Sequence, residues 1–144
     1  MAALLGAQST ATDTAQARAS MAGTPAAMLL GEFGDDYGSH FSITPTTFRQ
    51  GSRTVYNIVE WNAAGQYLIA RNSATNITDG GKWTRIDWLA LADMAPYTWA
   101  FCLSAYNAAT RAEAAASYVA NRASPKTGCN GFPFSRMKPA AQDS

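Results

Sequence analysis

From residue 29 onward, apolar and polar positions alternate with a period of two, the mark of half-buried strands. Ser39-His40-Phe41-Ser42-Ile43-Thr44 places Phe41 and Ile43 on one face, with His40 opposite, and Pro45 ends the run. Thr54 to Trp61 sets Val55, Asn57, Val59 and Trp61 against Tyr56, Ile58 and Glu60. After Asn62-Ala63-Ala64-Gly65, a second run extends from Gln66 to Arg71 with Tyr67 and Ile69 on one face. Two such runs joined by a short loop predict a β-hairpin. A polar stretch closes in the turn Asp79-Gly80-Gly81, and Lys82 to Leu89 follows as a strand with Trp83, Ile86 and Trp88. Pro96 opens another, Tyr97 to Ser104, where Tyr97, Trp99, Phe101 and Leu103 share a face. Strands this evenly spaced predict a mainly β fold, a small antiparallel meander closed or nearly closed on itself.

One segment breaks the period. Asn107 to Asn121 holds seven alanines, and alanine is the best helix former. Thr110 followed by Glu113 has the spacing of a capping box, and Asn107 is an alternative N-cap. A helix is expected there, ended by Ser124-Pro125. Lys126 to Met137 then returns as the last strand, with Pro133 suited to an edge.

Residues 1–27 differ from the rest. They contain no aromatic residue and are rich in Ala, Ser and Thr, too little apolar bulk to offset ordering entropy. Three roles fit: a disordered tail, a processed targeting segment, or a helix that docks on a partner. Ala3-Leu4-Leu5-Gly6-Ala7 is short for a signal peptide's apolar stretch, and no Lys or Arg precedes it. The expected organisation is a tail over 1–27, a β domain over 28–139 and a second tail over 140–144.

Composition narrows the picture. A chain of 144 residues makes one domain of ordinary size. Hydrophobic residues reach 47 %, but 29 of them are alanines. Leu, Ile and Val together number 16, as do Phe, Tyr and Trp, so rings must fill much of the core. Charged residues are 15 %, below the usual level of about 25 %. The net charge is +1 and no basic cluster is present, which argues against a nucleic-acid partner. No apolar run is long enough for a transmembrane helix. One histidine and two cysteines leave little for a zinc site, and no cofactor motif stands out. Few charges with many rings suit an interface with another protein.

The candidate chemistry is thin. Cys102 lies in an apolar strand and Cys129 in a glycine-flanked turn. A disulfide between them is the leading reading, with two free thiols or a reactive cysteine as alternatives. A disulfide implies an oxidising compartment: secreted, periplasmic or an organelle lumen. Arg85 and Asp87 fall on one face with Trp83. Pointed inward, that face is a polar site flanked by rings; pointed outward, it is a solvated face or a structural pair. Trp61, Trp83, Trp88 and Trp99 are core by expectation, and together they are also candidates for an apolar ligand or partner surface. Glu32, Asp35 and Asp36 lie near His40, with Asp35-Asp36-Tyr37-Gly38 readable as an ordinary turn. Asn76-Ile77-Thr78 is one glycosylation sequon.

Gly31-Glu32-Phe33-Gly34-Asp35-Asp36-Tyr37-Gly38, with the alternating run after it, resembles the first hairpin of lipocalin-like (calycin) barrels. A larger part, from about Gly31 to Met137, is similar to an uncharacterised group of small secreted bacterial proteins. The matching stretches are Tyr67 to Asn72, Gly81 to Trp88, Trp99-Ala100-Phe101-Cys102 and Gly128-Cys129-Asn130-Gly131-Phe132-Pro133-Phe134-Ser135-Arg136. The first resemblance implies a lipocalin-like barrel; the Ala-rich helix expected from the residues would precede its last strand. The second implies a disulfide and export, and no activity. The N-terminus departs from the secreted pattern.

Together these features point to a non-catalytic binding or accessory module, docked on a protein partner or larger assembly. A lipocalin-like carrier of a small apolar ligand is the alternative. A hydrolase using Asp35 or Asp36 with His40 rests on adjacency alone.

Overall fold

The expected alternation appears as eight strands in a computed structural model that describes residues 23–140. They are β1 (Gly31–Gly34), β2 (His40–Ile43), β3 (Thr47–Gln50), β4 (Thr54–Asn62), β5 (Tyr67–Asn72), β6 (Trp83–Ala90), β7 (Trp99–Ala108) and β8 (Ser135–Pro139). Each pairs antiparallel with the next. β8 returns to β1 through Phe33–Pro139 and Gly34–Lys138, closing an up-and-down barrel. Closure removes every sheet edge. Pro133 therefore does not sit on an edge strand; it precedes β8, which is paired on both sides.

Rings fill the barrel, as the scarcity of aliphatics requires. Phe41, Phe48 and Phe101 meet edge to face with centroids 5.4–5.9 Å apart. Trp99 meets Phe33 at 5.3 Å, and Trp61 meets Trp88 at 5.9 Å. Such pairs each contribute about 0.5–1.5 kcal/mol beyond area burial.

Strict alternation fails in β4. Tyr56, Ile58 and Trp61 are all buried with the core, although Trp61 has the wrong parity. A bulge between Ile58 and Glu60 inserts the extra residue that turns Trp61 inward.

The helix, α1, spans Arg111–Ala116, shorter than the expected run from 107 to 121. Its N-terminus matches expectation: Thr110 Oγ1 accepts from the Glu113 amide at 3.1 Å, and Glu113 Oε2 accepts from the Ala109 amide at 3.0 Å. Asn107 and Ala108 belong to β7 instead. At the other end the Ser117 hydroxyl donates to the Glu113 carbonyl at 2.7 Å. Isolated short helices are marginal, so tertiary contacts set the length. Here the chain must leave the helix to lay residues 117–134 along the barrel.

That stretch, with α1, forms a strap over the outer face of β5–β7. Ile69, Ala105 and Ala114 are buried together, with Tyr67 and Trp83 against them. Leu89, Ala100, Cys102, Ala120 and Phe134 form a second outer cluster. The wall is thus buried on both sides there, and β6 is buried from Thr84 to Leu89. A disulfide joins Cys102 to Cys129, with Cα atoms 5.5 Å apart. At Gly128 a side chain would collide with the Asn121 and Ser124 carbonyls, so the strap's tight turn requires glycine.

The two barrel ends differ. The segment before β1 crosses one end, with Leu29 fully buried and Ala26 packed against the core. Trp61 Nε1 donates there to the Pro45 carbonyl at 2.8 Å. Of the expected N-terminal tail, residues 1–22 lie outside the described residues, as do 141–144 at the other terminus. The opposite end, carrying the β1–β2, β3–β4 and β5–β6 turns, stays open. Among the described residues no helix is long and apolar enough to cross a membrane.

Candidate functional site

The six residues singled out in the sequence separate into two groups on opposite sides of the barrel wall. Trp61, Trp88 and Trp99 lie inside. Trp83, Arg85 and Asp87 lie outside, beneath the strap. They line no common cavity.

The outer group is built around Asp87, whose side chain is fully buried. Arg85 donates to it twice, from Nε at 3.0 Å and Nη2 at 3.1 Å. Arg122 Nη2 donates at 3.1 Å, and the Ser104 hydroxyl donates to Oδ2. Arg85 also reaches the Ala115 carbonyl at 2.5 Å, and its guanidinium lies 3.9 Å over the Tyr67 ring and 4.9 Å from that of Tyr118. Arg122 donates to the Trp88, Gly65 and Gln66 carbonyls at 2.7, 3.1 and 2.6 Å. Asp87 and Arg85 belong to β6, while Ala115, Tyr118 and Arg122 belong to the strap. The network therefore latches strap to wall, and its hydrogen-bonding capacity is taken up by the protein itself. The Arg85–Asp87 face points outward, yet the strap makes it buried rather than solvated. Trp83 sits beside it, with Arg71 5.4 Å over its ring.

The residues considered for hydrolysis are engaged elsewhere. Asp35 Oδ1 accepts from the Tyr37 and Ser39 amides at 2.9 and 2.8 Å, which fixes the β1–β2 turn. Asp36 makes a two-pronged pair with Arg136, at 2.7 and 3.0 Å, which lowers its pKa from the ordinary 3.8. His40 is exposed and meets Glu32 at 2.6 Å; Ser42 donates to the other oxygen of Glu32, also at 2.6 Å. These two contacts, Ser42 first, lower the Glu32 pKa from 4.5. Serine, carboxylate and histidine thus adjoin, but the carboxylate stands in the middle. An activated nucleophile needs the base bonded to the hydroxyl and the carboxylate behind the base.

The sequon asparagine is also engaged by the protein. Asn76 is 9 % exposed; its amide donates to the Val55 carbonyl and accepts from the Val55 amide, both at 2.9 Å.

The open end holds a cleft of about 700 Å³. Gln50, Arg53, Tyr56, Asp79, Leu103 and Tyr106 are among its lining residues. Burial, and then the Asp79 charge, raise the Tyr56 pKa above 10.0. A smaller hollow of about 300 Å³ lies outside the wall between Leu91, Met94, Pro125 and Phe134, rimmed by the Asp36–Arg136 pair. His40 and the sequon residues Asn76 and Thr78 line the open-end cleft, whereas Arg53, Tyr56, Asp79 and Tyr106 carry no site expectation from the sequence. One signal existed: in a meander, alternate turns gather at one end, which brings Arg53 and Asp79 together. For Arg122, in irregular chain, no periodic signal existed.

Compared with protein families, curated proteins and solved structures, the chain matches none.

Proposed function

We propose that this protein is a non-catalytic binding module, a rigid disulfide-tied barrel that engages its partner or ligand at the open end or outer surface. The observation that carries this reading is the filled interior. The phenylalanine cluster of Phe41, Phe48 and Phe101 and the pairs around Trp61, Trp88 and Trp99 occupy the barrel's core. A carrier of an apolar molecule needs that space, so the carrier reading takes second place. The disulfide favours an oxidising compartment.

Intrinsic tryptophan fluorescence separates the two readings. Oleate added to the oxidised protein is expected to leave the emission unchanged. Saturable quenching by oleate, with shifts in the Trp99 and Phe101 NMR signals, makes the protein a carrier and overturns the proposal.

A further inference from the structure

At the open-end cleft the frame is fixed and the facing groups are unspent. Asn72 donates to the Asp79 and Tyr106 carbonyls at 2.9 and 2.8 Å and accepts from the Thr84 hydroxyl at 2.5 Å. Asn76 clamps Val55, as above. These two side chains hold the β5–β6 turn against β4 and β7, so the walls are set before any ligand arrives.

The side chains that face the cleft are different. Tyr56 is only 8 % exposed and packs 6.1 Å from Phe48, yet its hydroxyl has no hydrogen-bond partner among the described residues. That hydroxyl is reached from the cleft, open to a ligand or to solvent. Arg53, Thr54, Thr78 and Asp79 line the same cleft, and their side chains also bond to nothing among the described residues. Arg53 and Asp79 form no ion pair with each other.

The charges decide the ligand class. An anion would meet Asp79, and a cation would meet Arg53. The cleft instead suits a molecule of no net charge that donates and accepts at many points. Leu103 and the half-exposed ring of Tyr106 add apolar surface beside these groups. A sugar has both properties: each hydroxyl donates and accepts, and the C–H face of the ring is apolar. A small zwitterion balances the charges but leaves Tyr106 and the threonine hydroxyls without partners. The volume of about 700 Å³ lies within the range of small-ligand sites, about 300–1,000 Å³. We infer that the open-end cleft is a saccharide-binding site in which Arg53, Tyr56 and Asp79 hold sugar hydroxyls and Tyr106 packs on a ring face. This inference rests on the binding-module reading.

The test is a two-dimensional amide NMR titration of the oxidised full chain with chitotriose, cellotriose and maltotriose, with alanylalanine and oleate in parallel. At least one trisaccharide is expected to give saturable shifts confined to residues 50–56, 72–79 and 103–106. Tyr56→Phe removes only a hydroxyl that no protein group uses. It should weaken that binding up to about tenfold and leave the rest of the spectrum in place. Arg53→Ala should weaken it as well. No saturable shift with any of the three sugars, or shifts scattered over the surface, overturns the saccharide inference. Shifts by alanylalanine alone at the same residues also overturn it, while the binding-module reading stands. Saturable oleate shifts at Trp99 and Phe101 overturn both.

Discussion

Replacing Asp87 with alanine isolates the latch between strap and wall. The side chain is fully buried and receives two bonds from Arg85 and one each from Arg122 and Ser104. Removing one partner of a buried pair costs about 3–5 kcal/mol, because the other charge stays behind unpaired. The donors here keep something. Arg122 retains three backbone carbonyls, and Arg85 retains the Ala115 carbonyl and the Tyr67 ring. The expected loss is therefore at the lower end, about 3 kcal/mol, against a total of about 5–15 kcal/mol for a typical domain. For a chain of this size that corresponds to a fall in Tm of about 10 °C. The assay is urea unfolding of the oxidised protein, followed by tryptophan fluorescence. Arg49→Ala, an exposed outer residue of β3, serves as control and should stay within about 0.5 kcal/mol of the parent. A loss under about 1 kcal/mol for Asp87→Ala refutes the reasoning. Desolvation of the carboxylate would then cancel its bonds, and apolar contact with the disulfide would suffice to hold the strap.

Further expectations follow from the same contacts. Cys102→Ala with Cys129→Ala opens a loop of sequence separation 27, and the chain-entropy relation gives a loss of about 3.5 kcal/mol, read by the same unfolding curves. Asn76→Ala breaks both bonds to Val55 and should cost about 2 kcal/mol. In a glycosylating host, intact-mass measurement should find Asn76 without sugar on the folded protein, and an occupied site would contradict its buried, bonded state. The Glu32 pKa is lowered in the folded state, so its contribution is fully present above the ordinary 4.5 and is lost as pH falls through the folded value. Carboxyl NMR should place the midpoint below 4.5, and Ser42→Ala should raise it; an unchanged midpoint in that variant removes Ser42 as the main cause.

The barrel was legible because period two survives wherever one face meets the core. Phe41 and Ile43 in β2, and Trp99, Phe101 and Leu103 in β7, follow it; Tyr97, expected on the same face, precedes β7 and packs instead against Arg136 and Lys138. It misled at Trp61, since a bulge shifts parity without leaving a composition signal. The alanines of 107–121 overstated the helix, because intrinsic preference yields to the contacts that place Arg122 and Cys129 on the wall. Arg85 and Asp87 were legible as a pair on one face. Their burial was not, since it depends on a strap some thirty residues later in the chain and on Arg122, which no pattern announces. The open-end cleft escaped for a similar reason: its groups come from turns far apart in sequence and meet only when the sheet closes.

Closure of the barrel also fixes where the described chain enters and leaves. Gly23 lies against Trp61 at the covered end, and the Ala140 amide donates to the Glu32 carbonyl at 2.9 Å beside the start of β1. The first of these points lies at the end opposite the cleft, and the second lies on the side of the barrel beside β1. Contact made at the covered end, around Gly23 and Trp61, therefore leaves the cleft uncovered.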